Sequence, residues 1–269
     1  MTTLVCGSLA YDTIMVFPDQ FKRHILPDQI HILNVAFLVP EMRREFGGTA
    51  GNIAYNLKLL GEDALIMATV GHDFTPYAER LARLGLADQH VRRVEGEFTA
   101  QAFITTDLDD NQITAFHPGA MSHAHLNRIA DAPGATLGIV SPDGGQGMIE
   151  HARDFAAAGI PYIFDPGQGL PMFSGPELLG LIDGASGLAL NDYEARIVEE
   201  MTAGEQANRP TATGEQTSDV RREQWADDDD ADDHPEERQR DAEEHQVRDE
   251  LRGLDARDLP DPEGHGEDE

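Results

Sequence analysis

The chain is poor in cysteine, tryptophan and basic residues. Its 269 residues include one Cys and one Trp, and 20 Lys+Arg stand against 50 Asp+Glu, which gives a formal net charge of −30. A single thiol excludes an intramolecular disulfide framework, and Cys6, which lies in an apolar run, is typical of a buried thiol in a cytoplasmic protein. Nucleic-acid binding is excluded as well, because phosphate recognition requires a cationic surface.

Long apolar runs and a leader are also missing. The N-terminal segment, MTTLVCGSLAYD, has no basic residues ahead of a long apolar stretch, so we expect no signal peptide. No apolar run approaches the ~20 residues that are needed to cross a bilayer. We therefore expect a cytoplasmic protein that has no membrane partner.

The acidity is concentrated towards the C-terminus. Residues 1–200 carry 26 acidic and 12 basic side chains, whereas residues 201–269 carry 24 acidic and 8 basic side chains. Only 14 of the 69 residues in the second segment are apolar, and from residue 202 onward it has no Lys, Ile, Phe, Tyr or Cys. Residues 1–200 therefore have the composition of a folded domain, and residues 201–269 that of an acidic disordered tail.

Buried-strand patterns alternate with amphipathic helices through the first 200 residues. The predicted strands are 3–10, 64–71, 136–143, 161–167 and 187–191, and the predicted helices are 51–60, 76–86, 147–159, 176–185 and 192–201. This alternation predicts an α/β domain with a mainly parallel central sheet. Three β-rich segments do not fit the alternation and predict a smaller, separate β layer: 14–17, 30–39 and a hairpin at 98–117.

A glycine-rich turn, FGGTAGN, precedes the first predicted helix. Gly47 and Gly48 allow the backbone to approach a ligand closely and to act as a hinge, and Asn52 can point its amide at a ligand near the helix start. The alternative is a plain loop with a helix cap. The segment is neither GxGxxG nor GxxxxGK[ST], so it predicts neither a Rossmann nor a P-loop nucleotide site.

Polar side chains follow the predicted strands at one edge of the sheet. Asp12 lies where the first strand ends, and a carboxylate there can accept hydrogen bonds from sugar hydroxyls, unless it only forms a turn. Asn191 and Glu194 can hold a hydrated Mg²⁺ near phosphates, or they can cap the helix as Asn at N-cap and Glu at N3. Three histidines between residues 117 and 125 have no Cys or carboxylate at a recognisable metal-ligand spacing, so we assign no metal to them.

The order of these segments resembles the ribokinase or PfkB-type family of carbohydrate kinases, in the style of its bacterial adenosine-kinase-like members. GGTAGN looks like the first signature of that family, and NDYEA (191–195) looks like its N-x-x-E motif. The resemblance covers residues 1 to about 200. It implies a ribokinase-like α/β sandwich with a β lid that is built from residues 14–17, 30–39 and 98–117.

The resemblance also implies a reaction, the transfer of the ATP γ-phosphoryl group to a primary hydroxyl of a sugar or nucleoside. The residues implied to bind the substrate are Asp12, Gly47, Gly48 and Asn52, with Gly47 and Gly48 as the closure hinge. Asn191 and Glu194 would help to place Mg²⁺ and phosphate. The lids of two copies would pair in a homodimer.

One family segment has no match. The second signature, of the type D-T-x-G-A-G-D, supplies the catalytic base and an anion hole, and nothing in residues 201–269 resembles it. We therefore assign no catalytic base and expect a largely missing ATP site and impaired activity. The alternative is a non-catalytic sugar- or nucleoside-binding protein whose acidic tail contacts a partner. The abrupt change near Met201 favours the hypothesis that a kinase reading frame is shifted or shortened there.

Overall fold

The computed structural model describes residues 2–25, 32 and 34–206. Most of the acidic segment 201–269, which is predicted to be disordered, lies outside the described residues. In the described ranges, no helix is long and apolar enough to span a membrane.

Ten strands and five α-helices make up the described fold. In chain order they are β1 (Thr3–Cys6), β2 (Ala10–Val16), β3 (Glu41–Gly47), α1 (Thr49–Leu59), β4 (Ala64–Val70), α2 (Thr75–Leu84), β5 (Ala87–Arg93), β6 (Ala100–Thr106), β7 (Gln112–His117), β8 (Leu137–Val140), α3 (Gly145–Ala158), β9 (Tyr162–Phe164), α4 (Gly175–Gly184), β10 (Gly187–Leu188) and α5 (Asp192–Gln206). Helix α5 runs past residue 200, and the predicted domain boundary there stays a prediction.

The central sheet has six parallel strands in the order β10-β9-β8-β1-β4-β5. Successive side chains of a strand point to opposite faces. Accordingly, Leu4 and Cys6 pack in one buried cluster with residues of α3 and α4, whereas Val5 packs in a second cluster with residues of α1 and α2. The structure thus confirms the α/β sandwich with a mainly parallel central sheet.

A second sheet, the lid sheet, has four strands in the order β3-β2-β6-β7. Strand β2 pairs antiparallel with β3 and parallel with β6, and β6 and β7 form the predicted hairpin. Asp12 of β2 lies opposite Glu45 of β3 and Ala102 of β6, so these three side chains share one face of the lid sheet. Residues 14–16 of the predicted segment 14–17 belong to β2, as expected for the β layer.

Two predicted strands need correction, and two observed strands were not predicted. The predicted strand at 30–39 is wrong for its described residues, because 32 and 34–39 form no strand and the lid strand is β3. Strand β3 escaped prediction because most of its residues are exposed, so its sequence, EMRREFG, shows no apolar alternation. The predicted strand 3–10 is interrupted at residues 7–9, where the chain passes from the central sheet to the lid sheet, and β5 was not predicted at all.

Candidate functional site

The centre of the sheet is the point at which the strand order reverses. Strands β1 and β8 are neighbours there, and the chain continues from β1 towards β4 on one side and from β8 towards β9 on the other. Open α/β sheets bind ligands outside the carboxyl ends of their strands at such a switch point. The loops that leave this edge are residues 7–9, which enter the lid sheet, and residues 141–144, which lead into α3.

Asp12 lies within the lid strand β2 and not where β1 ends, and its carboxylate lies directly over Gly47. A Cβ atom added to Gly47 would overlap the Asp12 carboxylate, with its Cγ only 2.8 Å away, so a side chain at position 47 would displace that carboxylate. Asp12 is half-buried, and burial followed by the nearby charge of Glu45 raises its pKa above the ordinary value. A partly desolvated carboxylate in this position is a strong acceptor for hydroxyl donors.

Gly48 connects the lid sheet to helix α1. Its φ of 92° lies in the region that favours glycine, and an added Cβ would stand 2.5 Å from the Ser8 carbonyl oxygen and 2.7 Å from the Ala10 nitrogen. The backbone N–H of Asn52 donates to the Gly48 carbonyl oxygen at 3.1 Å, and the Asn52 side chain is exposed in the first turn of α1. The structure thus brings Gly47, Gly48 and the start of α1 together beside Asp12.

Two tyrosines fix the base of the lid sheet. The Tyr77 hydroxyl donates to the Gly47 carbonyl oxygen at 2.8 Å, and the Tyr11 hydroxyl donates to the Asp73 carbonyl oxygen at 3.0 Å. Burial raises the pKa of Tyr77 well above its usual value, so this hydroxyl remains a neutral donor. The Arg44 guanidinium lies 3.7 Å from the centre of the Tyr11 ring. The Tyr77 bond thus holds the glycine pair from the side of α2.

Sequence reasoning missed three hydroxyl groups that meet at the switch point. We call them the hydroxyl cluster, and they belong to Ser8, Thr49 and Ser141. The Thr49 hydroxyl lies 3.0 Å from the Ser141 hydroxyl and 3.3 Å from that of Ser8. It also donates to the Pro142 carbonyl oxygen at 3.0 Å. The only sequence signal was a Ser or Thr beside each strand end and in GGTAGN, which is too common a pattern to predict a cluster.

Asn191 and Glu194 cap helix α5. The Asn191 N–H donates to Glu194 Oε2 at 3.0 Å, and the Glu194 N–H donates to Asn191 Oδ1 at 2.9 Å. This reciprocal pair is the capping arrangement that was the alternative to a role in placing Mg²⁺. The two roles are compatible, because the capping bonds leave Glu194 Oε1 and one lone pair of Asn191 Oδ1 unused.

The same edge of the sheet carries a second carboxylate, Asp165, directly after β9. Burial and then the charge of Glu194 raise the pKa of Asp165, and a bound cation would relieve this repulsion. In the described part of the chain, no group of three or more His, Cys, Asp or Glu side chains is placed to hold a metal. A hydrated Mg²⁺ keeps most of its waters and is commonly bound through one or two carboxylates, in contrast to a cage of protein ligands.

A further carboxyl group, Asp143, is buried where β8 leads into α3. Its side chain is 3% exposed, Oδ1 accepts the Gly144 N–H at 2.9 Å, and Oδ2 has no hydrogen-bond partner. Burial raises its pKa to about 8 against the opposing effect of the Gly144 N–H. Sequence reasoning missed this group, because an Asp in a Pro-Asp-Gly-Gly segment is typical of an exposed turn.

Comparisons with known proteins agree with this fold. Residues 11–216 match the family described as pfkB family carbohydrate kinase. A Burkholderia thailandensis nucleoside kinase solved in complex with inosine is 54% identical, with a TM-score of 0.66, over 75% of this chain and 64% of that chain. The same Burkholderia protein has also been solved in complex with ADP-inosine.

Archaeal proteins show the same similarity at lower identity. The structure of a Methanocaldococcus jannaschii nucleoside kinase, an archaeal member of the ribokinase family, is 28% identical, with a TM-score of 0.65, over 76% of this chain and 65% of that chain. A curated nucleoside kinase of that organism is 34% identical over 165 residues, which are 60% of this chain and 53% of that protein. The chain thus spans about half the length of the curated relatives that it matches. With a family match over most of its length and this ribokinase-like fold, the chain belongs to the PfkB family of carbohydrate kinases.

Proposed function

We propose that the chain binds a purine nucleoside through its sugar hydroxyls, at Asp12, Gly47, Gly48 and Asn52. The observation that carries this proposal is the half-buried Asp12 carboxylate, which lies over a glycine at the start of α1. The nature of the ligand is supported by the similarity to a nucleoside kinase solved in complex with inosine.

The geometry suits a pair of neighbouring sugar hydroxyls. An ionised carboxylate only accepts hydrogen bonds, so its natural partners are O–H and N–H donors. Burial and Glu45 disfavour the charged form of Asp12, and two hydroxyl donors would offset that cost. The glycines at positions 47 and 48 have no side chain that would stand between the carboxylate and the ligand.

We further propose that the reaction is transfer of the γ-phosphoryl group of ATP to the primary hydroxyl of the bound nucleoside. Asp12 orients the sugar, and the lid sheet excludes water as it closes at Gly47 and Gly48. A Mg²⁺ held by Asp165 and Glu194 supplies neutralisation of the phosphate charge when it is bound. Asn191 fixes the first turn of α5, and so the position of Glu194.

Turnover by this chain is proposed to be weak. Residues 201–269 contain no segment of the D-T-x-G-A-G-D type, and no residue is assigned as the base that would accept the proton of the attacking hydroxyl. The same observation favours a second function, which is nucleoside binding without phosphoryl transfer. The two functions differ in one measurable product, ADP.

A calorimetric titration of the 269-residue chain with inosine, paired with a coupled assay of ADP release, tests the proposal. We expect saturable binding of inosine and ADP release close to background. An Asp12→Asn variant should bind inosine at least about tenfold more weakly, because removing a charge-assisted hydrogen bond commonly costs about 1.5–3 kcal/mol. Glu41→Gln is the matched control, because Glu41 is an exposed carboxylate on the same face of the lid sheet, at its far end. Absence of inosine binding would refute the nucleoside proposal, and rapid ADP release would refute the proposal of weak turnover.

We also propose that two copies associate through the lid sheet. The face opposite Asp12 carries Met42, Phe103 and Ile113, which are 69%, 41% and 43% exposed. Exposed large apolar side chains grouped on one face of a sheet favour a protein interface there. Light scattering behind a sizing column would show a dimer if the proposal is correct and a monomer if it is not.

A further inference from the structure

Thr49 is the residue of the hydroxyl cluster that contacts all the segments meeting at the switch point. We propose that Thr49 is a positioning residue for nucleoside binding, whose hydroxyl fixes the glycine pair and the start of α1 relative to the connection that leads into β2 and Asp12. The inference rests on the proposed nucleoside site and adds to it a residue that does not itself contact the ligand.

The Thr49 hydroxyl lies within hydrogen-bonding distance of both strand exits. It donates to the Pro142 carbonyl oxygen at 3.0 Å and accepts from the Ser8 backbone N–H at 3.2 Å. The Ser141 hydroxyl lies 3.0 Å from that of Thr49, and its one proton is shared between Thr49 and the Cys6 carbonyl oxygen at 3.1 Å. One side chain at the start of α1 therefore joins the exit of β1 to the exit of β8.

Two further bonds couple the start of α1 to the exit of β1. The Thr49 N–H donates to the Ser8 hydroxyl at 3.1 Å, and the Ala50 N–H donates to the Ser8 carbonyl oxygen at 3.0 Å. Ser8 lies in the short connection from β1 to β2, four residues before Asp12. The first turn of α1 and the connection that leads to Asp12 are thus held as one unit.

The hydroxyl cluster packs closely against the backbone of Gly7. A Cβ atom added to Gly7 would overlap the Ser141 hydroxyl and stand 2.7 Å from that of Thr49. Ser141 is fully buried and Ser8 is 8% exposed, so their hydrogen bonds are made within the protein, that of Ser141 to Thr49 or to the Cys6 carbonyl oxygen. Without the Thr49 hydroxyl, the contact between α1 and the β8 exit loses its direct bonds.

A small displacement of Thr49 would also shift the proposed ligand site, because the two are adjacent in the chain. Gly48 precedes Thr49, and the Asp12 carboxylate rests on Gly47. A misplacement of about 1 Å in a binding or catalytic constellation can cost on the order of 100-fold. A residue that only supported the fold would lower stability without changing the affinity of the molecules that remain folded.

The experiment compares Thr49→Val, which keeps the shape and removes the hydroxyl, with Thr49→Ser, which keeps the hydroxyl. Thr69→Val is the matched control, because Thr69 is 2% exposed and its hydroxyl donates to the Ala120 carbonyl oxygen at 2.7 Å elsewhere in the core. By calorimetry with inosine on the full chain, we expect Thr49→Val to bind about tenfold or more weakly, Thr49→Ser within about threefold of wild type, and Thr69→Val unchanged. Equal binding by Thr49→Val and wild type, or equal weakening by Thr69→Val, would overturn the inference.

A second measurement needs no ligand. Hydrogen–deuterium exchange at residues 7–12 and 47–52 should be faster in Thr49→Val than in wild type, and Thr69→Val should leave these segments unchanged. If wild type fails to bind inosine, the proposed function fails, and the exchange comparison then decides whether Thr49 holds these segments together. Exchange in Thr49→Val that equals wild type would overturn the positioning role.

Discussion

Replacement of Asp143 by Asn is expected to stabilise the protein, and more so as the pH rises. Asp143 has a pKa of about 8 in the folded chain, because it is buried and its Oδ2 has no hydrogen-bond partner. In the unfolded chain its pKa returns to about 3.9. The folded state therefore keeps a proton that the unfolded state releases across the neutral range.

The sign and size of the effect follow from linkage. Below pH ~4 both states are protonated and the group has no effect on the free energy of unfolding. Between pH ~4 and ~8 only the unfolded state ionises, so this group lowers the free energy of unfolding by about 1.4 kcal/mol per pH unit, and above pH ~8 the loss stops growing. From pH 5 to pH 7 the loss is about 2–3 kcal/mol.

The assay is urea unfolding followed by circular dichroism at pH 5, 6 and 7. We expect the stability of Asp143→Asn minus that of wild type to grow by about 2–3 kcal/mol over this range. Any cost of burying the new amide is independent of pH and cancels from this growth. Asp88→Asn, which removes an exposed carboxylate of β5, serves as the control. A difference between Asp143→Asn and wild type that stays constant from pH 5 to pH 7 would refute the reasoning.

Three further variants test separate parts of the structure. Gly47→Ala should weaken inosine binding by about tenfold or more, because its Cβ would displace the Asp12 carboxylate, and calorimetry would contradict this if affinity were retained. Asn191→Ala should lower the free energy of unfolding by about 1 kcal/mol through loss of the α5 cap, and an unchanged urea midpoint would show that the cap is dispensable. Phe103→Glu should convert a lid-sheet dimer into a monomer on a sizing column, because it places a charge in the exposed apolar face, whereas a persistent dimer would place the interface elsewhere.

The central sheet could be predicted from the sequence because apolar runs alternate with helical patterns from α1 onward. Prediction failed where strands are exposed. Strand β3 is stabilised by pairing with β2 along its whole length and not by burial of its side chains, so its charged sequence has no strand signal. Strand β5 lies at the edge of the central sheet, and its sequence, ADQHVRR, likewise lacks an apolar alternation.

The residues of the candidate site were predictable only one at a time. Asp12 and Gly47 could each be assigned from local pattern, but their contact depends on the register of β2 against β3. The hydroxyl of Thr49 meets that of Ser141, which is 92 residues away, and no local pattern contains such a contact. The buried environment of Asp143 is equally a product of tertiary packing, since its own sequence is typical of an exposed turn.

The central claim is that Asp12 holds a nucleoside by its sugar hydroxyls at the start of α1. Calorimetric titration of inosine into wild type and into Asp12→Asn tests it most directly. The account predicts saturable binding by wild type and binding by Asp12→Asn that is weaker by about tenfold or more. Equal affinity of the two proteins for inosine, or no binding by wild type, would contradict it.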